Sequence, residues 1–206
     1  FVEIRIHSPE QTYPRLEREI EKRYGLRDCI VVPALGDVQA TYRSMARAVE
    51  TLFLRHLPQE GLLGVSWGET LKAVGDELHD VNALLSDSNF QSVAEKWRHL
   101  DAVVLSVSAI DPEASAFRHG VLSASDRQIL ARDGVRCMTN FVLLDAAGER
   151  VTNEVSERLI HCPFDTLVQV PVRLVIAGGV AKAEALRVAL HAGVANLLVV
   201  DEDLAG

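Results

Sequence analysis

Two glycine-rich turns are the part of this sequence best suited to chemistry. The first glycine turn is Gly64-Val65-Ser66-Trp67-Gly68-Glu69-Thr70, and the second glycine turn is Ala177-Gly178-Gly179-Val180-Ala181-Lys182. Each follows an apolar run typical of a strand and precedes an amphipathic run typical of a helix. Glycine lets backbone amides at a helix N-terminus approach a ligand, and a phosphate or a polyol binds such donors. The two turns together therefore favour a small-molecule sensor over an enzyme.

Side chains in both turns would add to the backbone donors. The hydroxyls of Ser66 and Thr70 can donate to phosphate or sugar oxygens, and the Lys182 ammonium adds positive charge at the start of a helix. Trp67 would stack on a sugar face, although a place in the core suits it equally well. We therefore expect the ligand to contact nine residues: Gly64, Ser66, Trp67, Gly68, Glu69, Thr70, Gly178, Gly179 and Lys182.

Neither glycine turn has the spacing of a nucleotide site. The dinucleotide pattern G-x-G-x-x-G and the phosphate-loop pattern G-x-x-x-x-G-K-[ST] are both absent from the two turns. NAD and ATP are disfavoured as ligands, and we expect no cofactor. Glycine turns between a strand and a helix also form for packing alone. A ligand site is therefore predicted because two such turns occur in one chain, and not from either turn by itself.

The apolar pattern that must position these turns alternates between strand and helix. Such alternation predicts a three-layer α/β domain, with a mostly parallel sheet and helices on both faces. Ligands of such sheets bind beyond the carboxyl ends of the strands, where both turns are expected to lie. Strands are predicted at 29–32, 62–65, 102–107, 172–176 and 196–200, and helices at 9–24, 36–57, 70–78, 89–100, 123–132 and 181–192.

Three local signals refine this pattern. Ser8 and Pro9 have the residue types of an N-cap and a first helical position, and Ser123 with Asp126 resembles a capping box. The residues from 141 to 152 surround a turn at 145–149 and predict a hairpin. The hairpin would make the sheet mixed.

Length and charge exclude several classes of protein. At 206 residues the chain fits a single domain, and no apolar run approaches the roughly 20 residues that span a bilayer. A net charge of −8 argues against a surface that grips nucleic acid. The chain begins at Phe1, so we expect a fragment whose N-terminal domain is missing.

The cysteines are few and widely spaced. Cys29, Cys137 and Cys162 are an odd number at wide spacing and form no C-x-x-C pair. We expect three small buried side chains in a reducing cytoplasm, with neither a disulfide nor a metal site.

On these motifs the chain resembles the effector-binding domain of the SorC/DeoR-type family of bacterial sugar-responsive transcriptional regulators. The elements W-G-x-T-L at 67–71 and A-G-G-x-x-K-A at 177–183 carry the resemblance, in this order along the chain. Similar residues at 16–17, 24–26, 30–33 and 141–148 extend it.

The resemblance implies a fold similar to sugar-phosphate isomerases and glucosamine-phosphate deaminases, kept as a sensor without turnover. Ser66, Gly68 and Thr70 would line the effector site, and Lys182 would hold a phosphate or a polar equivalent. Family members form dimers or tetramers and bind operator DNA through an N-terminal helix-turn-helix domain. A sugar, a polyol or a phosphosugar would modulate that binding.

The chain departs from the family pattern at two places. It passes almost directly from Leu78 to Leu84, where the family has a longer stretch with another glycine turn and strand. We expect a segment missing near 80–83, either deleted or disordered, and the abrupt join favours the second. Met138 stands where some relatives have an acidic residue for sugar hydroxyls.

Two other readings remain open. An isomerase- or deaminase-like enzyme would need a carboxylate or histidine base, and the candidates are Asp111, His119, Asp145 and His161. An oligomerising module would instead use the long helix at 36–57 between subunits, and its glycine turns would serve packing only.

Overall fold

The computed structural model describes residues 13–57, 62–65 and 88–206. Its strands are β1 Asp28–Val32, β2 Leu63–Val65, β3 Ala102–Leu105, β4 Val135–Thr139, β5 Val142–Asp145, β6 Val172–Ala177 and β7 Leu197–Asp201. Its α-helices are α1 Pro14–Tyr24, α2 Val38–His56, α3 Ser88–Trp97, α4 Ser115–Arg118, α5 Ala124–Arg132, α6 Phe164–Leu167, α7 Ala183–His191 and α8 Glu202–Ala205. Two short 3-10 helices cover Ser156–Arg158 and Val180–Lys182.

Five strands form one parallel sheet in the order β1-β7-β6-β3-β2. Its central strands are apolar on both faces, as parallel strands covered by helices must be. In β7, Leu198 and Val200 join one hydrophobic core, whereas Leu197 and Val199 join another. The carboxyl ends of all five strands lie at one edge, called the carboxyl edge below.

Helices cover both faces of this sheet. Leu16 of α1, Trp97 of α3 and Val188 of α7 belong to or pack against the first core, whereas Met45 and Leu52 of α2 belong to the second. Burial of these stripes is the main favourable term for such an arrangement. The predicted three-layer α/β fold is confirmed.

The antiparallel part of the molecule differs from the prediction. β4 and β5 form a separate two-stranded hairpin, joined by Asn140 and Phe141 with φ of 47° and 61°. The predicted antiparallel turn at 141–152 is also present: a bridge joins Leu144 to Arg150, the Asp145 amide donates to the Glu149 carbonyl oxygen (3.0 Å), and the Val151 amide donates to the Leu143 carbonyl oxygen (2.9 Å). The prediction of a mixed sheet was wrong, because the five-stranded sheet is wholly parallel.

Several predicted helix ends are also corrected. Helix α1 begins at Pro14 after Tyr13, whereas Ser8 and Pro9 lie outside the described residues, as does the predicted helix at 70–78. The capping box is confirmed, since the Asp126 amide donates to Ser123 Oγ (3.1 Å) and the Ser123 amide donates to Asp126 Oδ2 (2.8 Å). A 3-10 turn precedes α7, which begins at Ala183.

The three cysteines are buried and free, as predicted. Burial raises the pKa of Cys137 to about 12 and that of Cys162 to about 11, which favours the protonated thiol of both at neutral pH. Within the described residues, no group of three or more His, Cys, Asp or Glu side chains is placed to hold a metal ion. No described helix is long and apolar enough to cross a membrane.

Candidate functional site

The second glycine turn leaves β6 at the carboxyl edge, beside the end of β7. Ala177 pairs with Val200 in the ladder between these strands, which places Gly178 and Gly179 next to Asp201. Strand register therefore brings together residues that lie more than twenty positions apart in the sequence.

Gly178 is a glycine because two side chains approach it closely. A Cβ at this position would lie 2.7 Å from Met45 Cε and 2.8 Å from Asp201 Oδ2. Gly179 has a different requirement, since its φ of +86° is one that other residues rarely adopt. Glycine is therefore required for close packing at Gly178 and for backbone conformation at Gly179.

Asp201 fixes the second glycine turn in place. Its carboxylate is 6% exposed, and its Oδ2 accepts a hydrogen bond from the Gly179 amide at 2.8 Å. Its Oδ1 accepts from the Leu204 amide at 2.9 Å and so caps α8. The Gly179 amide is therefore engaged by the protein rather than free for a ligand, which revises the expectation from sequence.

Lys182 ends the 3-10 turn and immediately precedes α7. Its side chain is half-buried, and none of the described residues forms a hydrogen bond or an ion pair with it. Burial lowers the pKa of Lys182, and the Asp201 carboxylate partly opposes this shift. Because a helix N-terminus is itself positive, a bound anion would interact favourably with both the helix and this ammonium.

The first glycine turn is only partly described. Ser66, Trp67, Gly68, Glu69 and Thr70 lie outside the described residues, so their role stays a prediction. Gly64 lies in β2, where a Cβ would come within 3.1 Å of Leu100 Cδ1. Close packing against Leu100 is therefore sufficient to explain why residue 64 is a glycine. Strand β3 separates β2 from β6, so the two turns start from the same edge with one strand between them.

The residues considered for an enzyme have local structural roles instead. Asp145 accepts from the Ala147 and Glu149 amides, as a turn aspartate does, and Asp111 accepts from the Glu113 amide. The His161 Nδ1 lies 2.9 Å from the Cys162 carbonyl oxygen, and His119 is exposed at the end of α4.

Met138 is buried in the hairpin core, and its backbone pairs with that of Ser108. Its side chain therefore serves packing.

Sequence reasoning missed Asp201. The available signal was an acidic residue ending an otherwise apolar run, LLVVD at 197–201. That signal alone does not show which amide the carboxylate binds, because the partner is set by the pairing of β6 with β7.

Comparison with known proteins agrees with this architecture. The family described as "Putative sugar-binding domain" matches residues 10–83 and 79–206. The transcriptional regulator LsrR of Enterobacter sp. (strain 638) is 25% identical over 253 residues, which cover 99% of this chain and 78% of the relative. LsrR of Escherichia coli (strain K12) is 45% identical over 62 residues, or 30% of this chain and 20% of the relative.

Two solved structures have the same fold. The full-length sorbitol operon regulator SorC from Klebsiella pneumoniae matches with a TM-score of 0.81 at 17% identity, covering 100% of this chain and 83% of that one. A DeoR family transcriptional regulator from Listeria monocytogenes matches with a TM-score of 0.80 at 21% identity, covering 93% and 97%. Since the family match extends over nearly the whole sequence, the chain belongs to the sugar-binding domain family, as its resemblance to SorC/DeoR-type regulators implied.

Proposed function

We propose that this domain binds a sugar, a polyol or a phosphosugar at its carboxyl edge and thereby modulates DNA binding by a helix-turn-helix domain outside this sequence. The half-buried Lys182, which has no partner among the described residues, is the observation that carries the proposal. The names of its relatives, transcriptional regulators with sugar-binding domains, support the same assignment.

The charges of the site favour a ligand with an anionic or strongly polar group. Each oxygen of the Asp201 carboxylate already accepts a hydrogen bond from a backbone amide, so the fold fixes this side chain in place. The Lys182 ammonium has no such partner in the described part of the chain, and a ligand oxygen can take that position. A phosphate would also gain from the positive end of α7.

The proposed site has two walls. The second glycine turn supplies Gly178, Gly179 and Lys182, and the first supplies Ser66 and Thr70 with Gly64, Trp67, Gly68 and Glu69. In this arrangement Gly178 and Gly179 shape the wall, Asp201 holds it, and Lys182 contacts the ligand. The hydroxyls of the first turn would bind the other end of a sugar.

We also propose that the interrupted family match marks a segment that relatives have and this chain lacks. The two matched parts meet at residues 79–83. The Enterobacter LsrR match covers 253 positions against the 206 residues of this chain, so at least 47 positions have no counterpart here. The site would then lack part of a wall beside the first glycine turn.

An enzyme is the second candidate and has less support. Of the residues considered for it, Asp111 and Asp145 accept hydrogen bonds from nearby backbone amides, His119 is exposed, and the partly buried His161 contacts the Cys162 carbonyl oxygen. We propose a cytoplasmic homodimer or homotetramer that senses its ligand without converting it. A ligand would act by favouring one of two subunit arrangements.

A thermal-shift screen of the chain against sugars, polyols and their phosphates tests the proposal. A ligand at about 100 times its dissociation constant stabilises by about 2.7 kcal/mol, which raises the melting temperature of a domain this size by about 5 to 10 °C. A selective shift would support the sensor. Folded protein with no shift across the panel would contradict it, and turnover of ribose 5-phosphate or glucosamine 6-phosphate would favour the enzyme.

A further inference from the structure

Helix α1 contacts the sheet both through an apolar stripe that packs against the first core and through polar side chains at four-residue spacing. Glu17 Oε1 accepts a hydrogen bond from the Val31 amide at 3.0 Å, and Glu21 Oε1 accepts from the Cys29 amide at 3.0 Å. Strand β1 is at the edge of the sheet, so these carboxylates pair with amides that have no neighbouring strand. No residue of α1 is buried.

Tyr13 continues this row at the start of the helix. Its hydroxyl donates a hydrogen bond to Glu202 Oε2, and Glu202 Oε1 accepts from the Ala34 amide at 3.0 Å. The hydrogen bond to Glu202, with smaller contributions from burial and neighbouring carboxylates, raises the pKa of Tyr13 to about 12. Glu202 therefore joins the start of α1 to the loop that follows β1.

Glu202 directly follows the carboxylate that holds the second glycine turn. Asp201 binds the Gly179 amide and caps α8, and Glu202 is the first residue of that helix. Two consecutive residues thus connect three segments of the carboxyl edge. Movement of the turn must either move α8 or break the hydrogen bond between Gly179 and Asp201.

We propose that Glu202 is a positioning residue that couples the second glycine turn to helix α1. The proposal rests on the proposed function, because it makes α1 the element that responds when a ligand occupies the turn. Helix α1 suits this role because none of its residues is fully buried and its contact with strand β1 includes the hydrogen bonds accepted by Glu17 and Glu21. A ligand that steadies the turn would then steady the start of α1 through Asp201, Glu202 and Tyr13.

Hydrogen exchange of the whole chain, with and without Tyr13→Phe, tests the coupling. The variant keeps the ring and removes the bond to Glu202. The Gly179 amide should then exchange about fivefold faster, although Tyr13 does not contact it. Tyr42→Phe, on the exposed side of α2, is the matched control, and the amides of α5 report any change in global stability.

Unchanged exchange at Gly179 in Tyr13→Phe would overturn the coupling. An equal acceleration at Gly179 and in α5 would also overturn it, because the effect would then be general destabilisation.

Inorganic phosphate, used as a probe of the Lys182 site, separates this proposal from the proposed function. The coupling predicts that phosphate slows exchange in both the second glycine turn and the first turn of α1, and that Tyr13→Phe abolishes only the second effect. Protection of the glycine turn without α1 would overturn the coupling and leave the site standing. No protection of the turn would count against an anion site there, and the experiment without phosphate would then decide the coupling alone.

Discussion

Two buried carboxylates, Asp126 and Asp201, have nearly equal exposure, 7% and 6%, but different partners. Asp126 accepts from the amide and hydroxyl of Ser123 and from the Arg158 guanidinium at 2.6 Å. Within the described part of the chain, Asp201 accepts hydrogen bonds only from backbone amides, and no ion pair joins it to Lys182. The first carboxylate has its own counter-ion, whereas the second is held by the backbone and leaves the Lys182 cation without an ion-pair partner among the described residues.

This difference separates a structural cluster from a candidate binding site. Burial alone would raise the pKa of Asp126, but hydrogen bonds from Ser123 and Arg158 more than offset it and leave that pKa below its ordinary value. Burial lowers the pKa of Lys182, and the Asp201 carboxylate offsets this only in part. An ammonium that no described residue pairs with is therefore a place at the carboxyl edge where an anionic ligand would gain binding energy.

The largest effect on stability is expected for Asp201→Ala. The substitution leaves the Gly179 and Leu204 amides without their acceptor and uncaps α8, which should cost about 3 kcal/mol of unfolding free energy. Urea denaturation measures the change, and Asp203→Ala, at an exposed neighbour in the same helix, is the control. Equal losses in the two variants would mean that Asp201 does not hold the turn.

A smaller effect, about 1 kcal/mol at neutral pH, is expected for Asp126→Asn, because the charged acceptor of Arg158 and Ser123 is lost. The direction in which this stabilisation changes with pH follows from the shifted pKa of Asp126. The folded-state pKa is lowered, so this stabilisation is present above the unfolded pKa of about 4 and is lost as pH falls through the folded value. Wild type and variant should therefore converge in stability on acidification.

Denaturation curves at several pH values measure this convergence. Asp165→Asn, which removes an exposed partner of Arg150, is the control. A constant difference between wild type and Asp126→Asn down to acid pH would show that the carboxylate charge is not what stabilises this cluster.

Most of the parallel sheet could be predicted from the sequence, because its buried strands are continuous apolar runs between clear helix signals. It failed at the β4–β5 hairpin, whose turn residues Asn140 and Phe141 both have positive φ without a glycine to mark them. Backbone strain at a bulky residue is imposed by the surrounding fold, so local turn chemistry indicated the turn at 145–149 but missed strand β4 and its turn to β5.

The candidate site was predictable only in part. The glycine pattern pointed to Gly178, Gly179 and Lys182, and the structure places them together at the carboxyl edge. The role of Asp201 was not visible, because it arises from the register between β6 and β7 rather than from neighbours in sequence. The residues of the first turn, from Ser66 to Thr70, stay predictions.

Calorimetric titration of Lys182→Ala with the phosphorylated sugar that binds tightest in the thermal screen tests the central claim most directly. Lys96→Ala, which removes an exposed lysine from α3, is the matched control. Lys182→Ala should lose about 1.5 to 3 kcal/mol of binding free energy, which is roughly 10- to 150-fold in affinity. Lys96→Ala should bind the ligand as the wild type does. Equal affinity in both variants would contradict the claim that Lys182 holds the ligand.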